Sequence, residues 1–142
     1  MKRILVGVDG SKESRDAAKT AADIARATGS QLTIAITVGS WPATVGAPEL
    51  LAKAEEWVEK ERAAATIIVK EIAAAVAQPS LKIEPIVVNG APAVTLAEPA
   101  RTGDVDMVVV GHRGRGGIAR VLLGSVADRL VQISPKPVLV VR

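Results

Sequence analysis

Asp106-Met107-Val108-Val109-Val110-Gly111-His112-Arg113-Gly114 runs from a bulky apolar stretch straight into glycine, and the segment it opens ends at Gly124-Ser125, where a helical pattern begins. A short apolar run without polar alternation reads as a strand covered on both faces. Glycines beyond it let backbone N–H groups point inward and let a ligand approach the chain. A helix start adds unpaired donors and the positive end of a dipole. Strand, glycine loop and helix N-terminus are together the parts of a phosphate cradle. Arg113, Arg115 and Arg120 lie in the same segment and favour an anionic ligand. Each arginine taken singly reads equally well as a solvated surface charge, and a glycine-rich loop can be turn geometry alone.

Working outward, residues 3–8, 32–38, 81–88 and 138–141 are further apolar, β-branched runs and read as strands, with 105–110 as the fourth in chain order. Ser11 is placed to cap a helix through about Thr28, which Gly29 closes. Residues 39–48 hold two prolines and two glycines and read as a loop. From 49 to 77, Leu50, Ala54, Trp57, Ala65, Ile68, Ile72 and Val76 repeat at helical spacing. That helix would be about 40 Å long, more than a sheet needs, so its charged N-terminal part is expected to project past the core. Trp57 falls on its apolar stripe and is expected in the core. Trp41 is expected to pack against the same helix. Pro85 suits an edge strand. Pro92 fits the first turn of a third helix, which Pro99 is expected to end early. Residues 125–133 form the fourth helix, stopped by Ser134-Pro135.

The order β-α-β-α-β-α-β-α-β argues for an α/β fold with a parallel, doubly wound sheet and helices on both faces. The 142 residues suit one domain, 1–142, with no linker or repeat.

Composition excludes several classes. The net charge is only +3, and Trp41 and Trp57 are the only aromatic residues. Neither a dense basic stripe nor a stacking platform is present, so no nucleic-acid partner is expected. No apolar run approaches the roughly 18 residues of a membrane span, so no membrane partner is expected either. The opening Met1-Lys2-Arg3 is followed by only a short apolar run before Asp9, unlike a signal peptide. With no cysteine, disulfides and thiolate metal sites are excluded, and the expected location is cytoplasmic.

Ligands on doubly wound sheets bind at the carboxyl ends of the strands where the strand order reverses. If the first and fourth strands are neighbours there, Asp9-Gly10-Ser11 meets the glycine loop. A carboxylate opposite a phosphate cradle suits a nucleotide, since it can accept from a ribose hydroxyl. Asp9 reads equally as a partner of the first helix cap. His112, the single histidine, is expected to supply loop polarity or a phosphate contact. The Walker pattern is absent. Gly114-x-Gly116-x-x-Ala119 fits a loose dinucleotide fingerprint but follows the fourth strand instead of the first, so it is rejected. Asp9-Gly10-Ser11-Lys12-Glu13-Ser14 lacks the paired glycines of the adenylating pyrophosphatases, which argues against a synthetase-like enzyme.

The spacing Gly111-x2-Gly114-x9-Gly124-Ser125 resembles the ATP-binding signature of the universal stress protein family. The opening Ile4-Leu5-Val6-Gly7-Val8-Asp9-Gly10-Ser11 resembles that family's first strand and acidic turn, and Pro135-Lys136-Pro137-Val138-Leu139-Val140-Val141 its last strand. The resemblance implies a five-stranded sheet of order 3-2-1-4-5. It implies adenosine at Asp9, an adenine contact through the backbone near Thr37, and a phosphate path along Gly111, Arg113, Gly114, Gly124, Ser125 and Val126. It also implies ATP as ligand, with AMP or cyclic AMP as alternatives and Mg²⁺ or Mn²⁺ carried with the nucleotide, and a homodimer through residues 138–142. Family members often place histidine and valine at the end of strand 2, where this chain has Ile36 and Thr37, so the resemblance carries over only the backbone contact there. No catalytic set is recognisable. The expected function is therefore a nucleotide-binding regulator of the stress response. A slow ATPase and a dimeric scaffold that no longer uses its nucleotide site are the alternatives.

Overall fold

The computed structural model describes residues 1–39, 48–114 and 123–142. Expectations for Trp41 and the loop around it, and for Arg115, Gly116, Ala119 and Arg120, fall outside them.

The elements run β1 (Arg3–Val8), α1 (Lys12–Thr28), β2 (Gln31–Val38), α2 (Pro48–Val76), β3 (Ile83–Asn89), α3 (Pro92–Thr102), β4 (Met107–Gly111), α4 (Ser125–Ile133) and β5 (Val138–Val141). The five strands form one sheet of order β3-β2-β1-β4-β5. Every pairing is parallel. The chain winds outward through β2 and β3, then returns to place β4 on the other side of β1. The order therefore reverses between β1 and β4.

Alternation along the strands divides the core in two, because successive side chains point to opposite faces. Ile4, Val6, Val8, Ile34, Ile36 and Val109 face α1 and α2. Leu5, Ala35, Val108 and Val110 face α3 and α4. This double burial is why β1 and β4 read as unbroken apolar runs. The helix α1 turns Ala17, Ala18, Ala21, Ala22 and Ala25 toward the sheet, all fully buried. Such small side chains let its axis lie close to the strands. Ser11 caps it, accepting from the Ser14 N–H, and Gly29 ends it in the left-handed conformation.

Three expectations need correction. Trp57 is 38% exposed. The stripe that α2 buries in the sheet core runs from Ala65 through Val69, Ile72 and Val76, and Trp57 lies N-terminal to it, near Gly39 just past the end of β2. Helical periodicity reports which residues share a face, not where the partner surface stops. The third helix does not end at Pro99 but continues to Thr102. Leu96, Ala97 and Ala100 are buried on both sides of the proline, and this packing outweighs the lost hydrogen bond. The third and fourth strands each begin two residues later than read and end one residue later, at Asn89 and Gly111. Pro85 does lie on an edge strand, opposite Ile34.

Candidate functional site

A cavity of about 500 Å³ opens at the carboxyl ends of β1, β2 and β4, at the reversal of strand order. Its volume is in the ordinary range for small-molecule sites. It lies on the α3–α4 side of the sheet. Gly7 and Ala35 line it together with Val110, Pro92 and Leu96. A Cβ on Gly7 would stand 2.5 Å from Leu96 Cδ1, so this glycine lets the side chain of α3 close over the strand beside the cavity.

Asp9 stands where β1 ends. Its Oδ1 accepts from both the N–H and the hydroxyl of Ser11. The Ser14 hydroxyl accepts from the Asp9 N–H (3.2 Å) and donates to the Ser11 carbonyl (3.0 Å). The acidic turn is thereby locked to the first turn of α1. The other oxygen, Oδ2, is turned toward Gly114: a Cβ built on Gly114 would come within 2.5 Å of it. Asp9 braces the helix cap through one oxygen and also lines the cavity.

The two described ends of the glycine loop meet in a narrow neck. The Gly124 N–H donates to the His112 carbonyl at 2.6 Å. A Cβ on Gly124 would lie 3.1 Å from the Arg113 Cα, and one on Gly111 would lie 2.9 Å from the backbone of Glu13. Three glycines thus permit three close approaches: β4 to α1, the loop to Asp9, and the loop to its own return. Beyond the neck, α4 begins at Ser125 with Gly124 as a cap that supplies no side-chain bond. Its first-turn amides at Ser125, Val126 and Ala127 belong to residues lining the cavity, where a helix has donors to offer and a positive dipole end.

All eight residues singled out from sequence, Asp9, Thr37, Gly111, Arg113, Gly114, Gly124, Ser125 and Val126, border this one cavity. Ser14, Leu96 and Asp128 border it too and were not anticipated. Gly7 and Ala35 carried a legible signal, being small residues inside bulky runs. Leu96 carried none, since only the tertiary placement of α3 brings it there. His112 is differently placed. Its N–H donates to the Val141 carbonyl at 2.8 Å, its Nδ1 lies 3.3 Å from the same oxygen, and its Nε2 accepts from Arg113 Nε–H at 3.0 Å.

Three carboxylates away from the cavity are held below their ordinary range. Asp16 is lowered by its bond to Lys12, and Glu98 by its bond to Arg101. Asp106 is lowered by the backbone amides of Lys2 and Arg3. Among the described residues, no group of three or more His, Cys, Asp or Glu side chains is placed to hold a metal ion. No helix among them is long and apolar enough to cross a membrane.

Fold and cavity together define a doubly wound α/β protein with a small-molecule pocket at its switch point. A profile of the universal stress protein family matches residues 1–142, and the chain belongs to that family. Universal stress protein YxiE of Bacillus subtilis is 32% identical over 148 residues, covering 99% of this chain and 98% of its own. Among solved structures, universal stress protein UspA from Lactobacillus plantarum superposes with a TM-score of 0.84 at 29% identity, covering 99% of this chain and 97% of its own. A universal stress protein solved in complex with cAMP superposes with a TM-score of 0.63 at 30% identity, covering 99% and 96%.

Proposed function

We propose that the cavity binds an adenine nucleotide, with ATP as the first candidate, and that the protein acts as a nucleotide-dependent regulator in the stress response. The observation that carries this reading is the convergence of the acidic turn, the glycine neck and the open start of α4 on one cavity. In this reading the adenosine lies at Asp9, with the base over Gly7 and Ala35 and its edge at the backbone by Thr37. The phosphates run along Gly111, Arg113, Gly114, Gly124, Ser125 and Val126. The cAMP complex of a relative at 30% identity supports an adenine nucleotide as the ligand class, and AMP and cyclic AMP remain candidates beside ATP. Mg²⁺ or Mn²⁺ enters with the phosphates.

Regulation is preferred to hydrolysis because a hydrolase needs a group to orient water and neutralise developing charge. Arg113 supplies charge, but Asp9, the carboxylate beside the glycine loop, already commits one oxygen to Ser11. The second copy in a homodimer would pair along the outer edge of β5, whose four residues Val138–Val141 are half-buried apolar side chains. An open apolar edge of this kind is a template for a further strand.

The test is calorimetry with ATP and Mg²⁺, followed by AMP and cyclic AMP. Saturable binding of one of them is expected. No heat of binding at millimolar concentrations of all three would sink the reading. Phosphate release above background at saturating ATP would move it to an ATPase.

A further inference from the structure

The geometry points to His112 as a positioning residue that holds the Arg113 guanidinium ready for nucleotide phosphates by bridging it to the end of β5. The inference rests on the nucleotide reading of the cavity.

Four hydrogen bonds hold His112. Its N–H donates to the Val141 carbonyl, its carbonyl accepts from Gly124 N–H at the start of α4, and its ring lies between Val141 and Arg113. A guanidinium is always charged and can only donate. The imidazole Nε2 that accepts from Arg113 Nε–H at 3.0 Å is therefore unprotonated, and the ring proton sits on Nδ1. That nitrogen lies 3.3 Å from the Val141 carbonyl, which is its acceptor. Both ring nitrogens are thus used, one against strand backbone and one against the arginine.

The consequence falls on Arg113. A long arginine side chain loses much rotamer freedom when it clamps a ligand. Here Nε is already held before a ligand arrives. The four N–H donors on its two terminal nitrogens form the fork that matches two phosphate oxygens, and Arg113 lines the cavity beside α4. His112 itself touches no ligand in this scheme. Its role is to remove the ordering cost from Arg113, and only the phosphates should register it.

The experiment measures dissociation constants by calorimetry for ATP, and for adenosine by displacement of ATP. The proteins are the natural chain, His112→Ala, His112→Gln, Arg113→Ala and the Ala–Ala double variant. His112→Ala keeps both backbone bonds of the neck. It should weaken ATP about 3- to 10-fold, the cost of ordering one free side chain on binding, and leave adenosine within about 2-fold. His112→Gln, which restores an acceptor for Arg113 Nε, should recover most of the loss. In the Arg113→Ala background, His112→Ala should add nothing, since coupled residues are not additive. Where adenosine is too weak to displace ATP, the double-variant cycle and the Gln rescue decide.

Unchanged ATP affinity in His112→Ala overturns the inference and leaves the nucleotide site intact. Equal losses for ATP and adenosine, or full additivity with Arg113→Ala, also overturn it, because either would mean a loosened neck. Where the natural chain binds AMP or cyclic AMP instead of ATP, that nucleotide replaces ATP in every arm; failure to bind all three overturns both readings.

Discussion

Gly114 lies against Asp9 so closely that a Cβ on the glycine would stand 2.5 Å from the carboxylate oxygen Oδ2. The contact is between the glycine loop and the acidic turn, the two segments that face each other across the switch point. Gly114 is not among the positive-φ glycines, so it is the neighbour, not the backbone angle, that demands glycine. Gly114→Ala should push the carboxylate off Ser11. About 1 kcal/mol of stability should be lost, the low end of overpacking costs, together with much of the affinity for both ATP and adenosine. Urea unfolding and calorimetry on the same preparation check it. Unchanged adenosine affinity would show that Asp9 does not hold the nucleoside.

Gly111→Ala should cost more. The added methyl would meet the Glu13 backbone carbon and oxygen, both at 2.9 Å. A side-chain oxygen can swing away, but the first turn of α1 cannot, because its alanine face is packed on the sheet. A loss of about 2–3 kcal/mol is expected, toward the upper end for overpacking. The urea midpoints of the two glycine variants give the comparison, and a smaller loss for Gly111→Ala than for Gly114→Ala would contradict it.

Asp106 links stability to acid. Its Oδ2 accepts from the N–H groups of Lys2 (2.7 Å) and Arg3 (3.1 Å), which hold its carboxyl below the ordinary range. A carboxyl depressed in the folded state contributes stability that is complete above its unfolded value. That contribution is lost as pH falls through the unfolded value toward the folded one. Asp106→Asn keeps an oxygen for both amides but cannot titrate. Its melting temperature should therefore fall less steeply than that of the natural chain below about pH 4. Parallel acid limbs for the two proteins would refute the linkage.

Pro99 is a repairable flaw in α3. Proline has no N–H for the carbonyl four residues back, which is that of Thr95. Replacing it with alanine restores the donor but gives the unfolded chain more freedom. The net expectation is a gain of about 1 kcal/mol, read as a higher urea midpoint with nucleotide affinity unchanged. Equal or lower stability would mean that the ring's own packing outweighs the missing bond.

The strands and the site were legible in the sequence to different depths and for different reasons, while the strand order came only from the family resemblance. The runs at 3–8 and 138–141 matched β1 and β5, because strands buried on both faces must be apolar throughout. Ser125–Ile133 was bounded by a glycine before it and a proline after it, and its ends came out as read. Trp57 and Pro99 were misjudged, because local pattern says nothing about how far a sheet extends or how strongly a helix is packed. The cavity-lining glycines were visible through their spacing. Leu96 was not, since only the return of α3 over the sheet brings it to the cavity. His112 was read for loop polarity or a phosphate contact, and pattern alone does not give the bonds its ring makes to Val141 and Arg113.

The neck formed by Gly111, Gly114 and Gly124 bears on how inactive variants of this protein are to be interpreted. A side chain at Gly111 or Gly114 collides with the protein itself before any ligand is considered, and one at Gly124 crowds the Arg113 Cα. Lost binding in such a variant speaks about the cavity only where unfolding of the same preparation shows the fold intact. Ser125 and Arg113, whose side chains can be trimmed without filling the neck, are the positions at which a genetic screen would speak about the ligand.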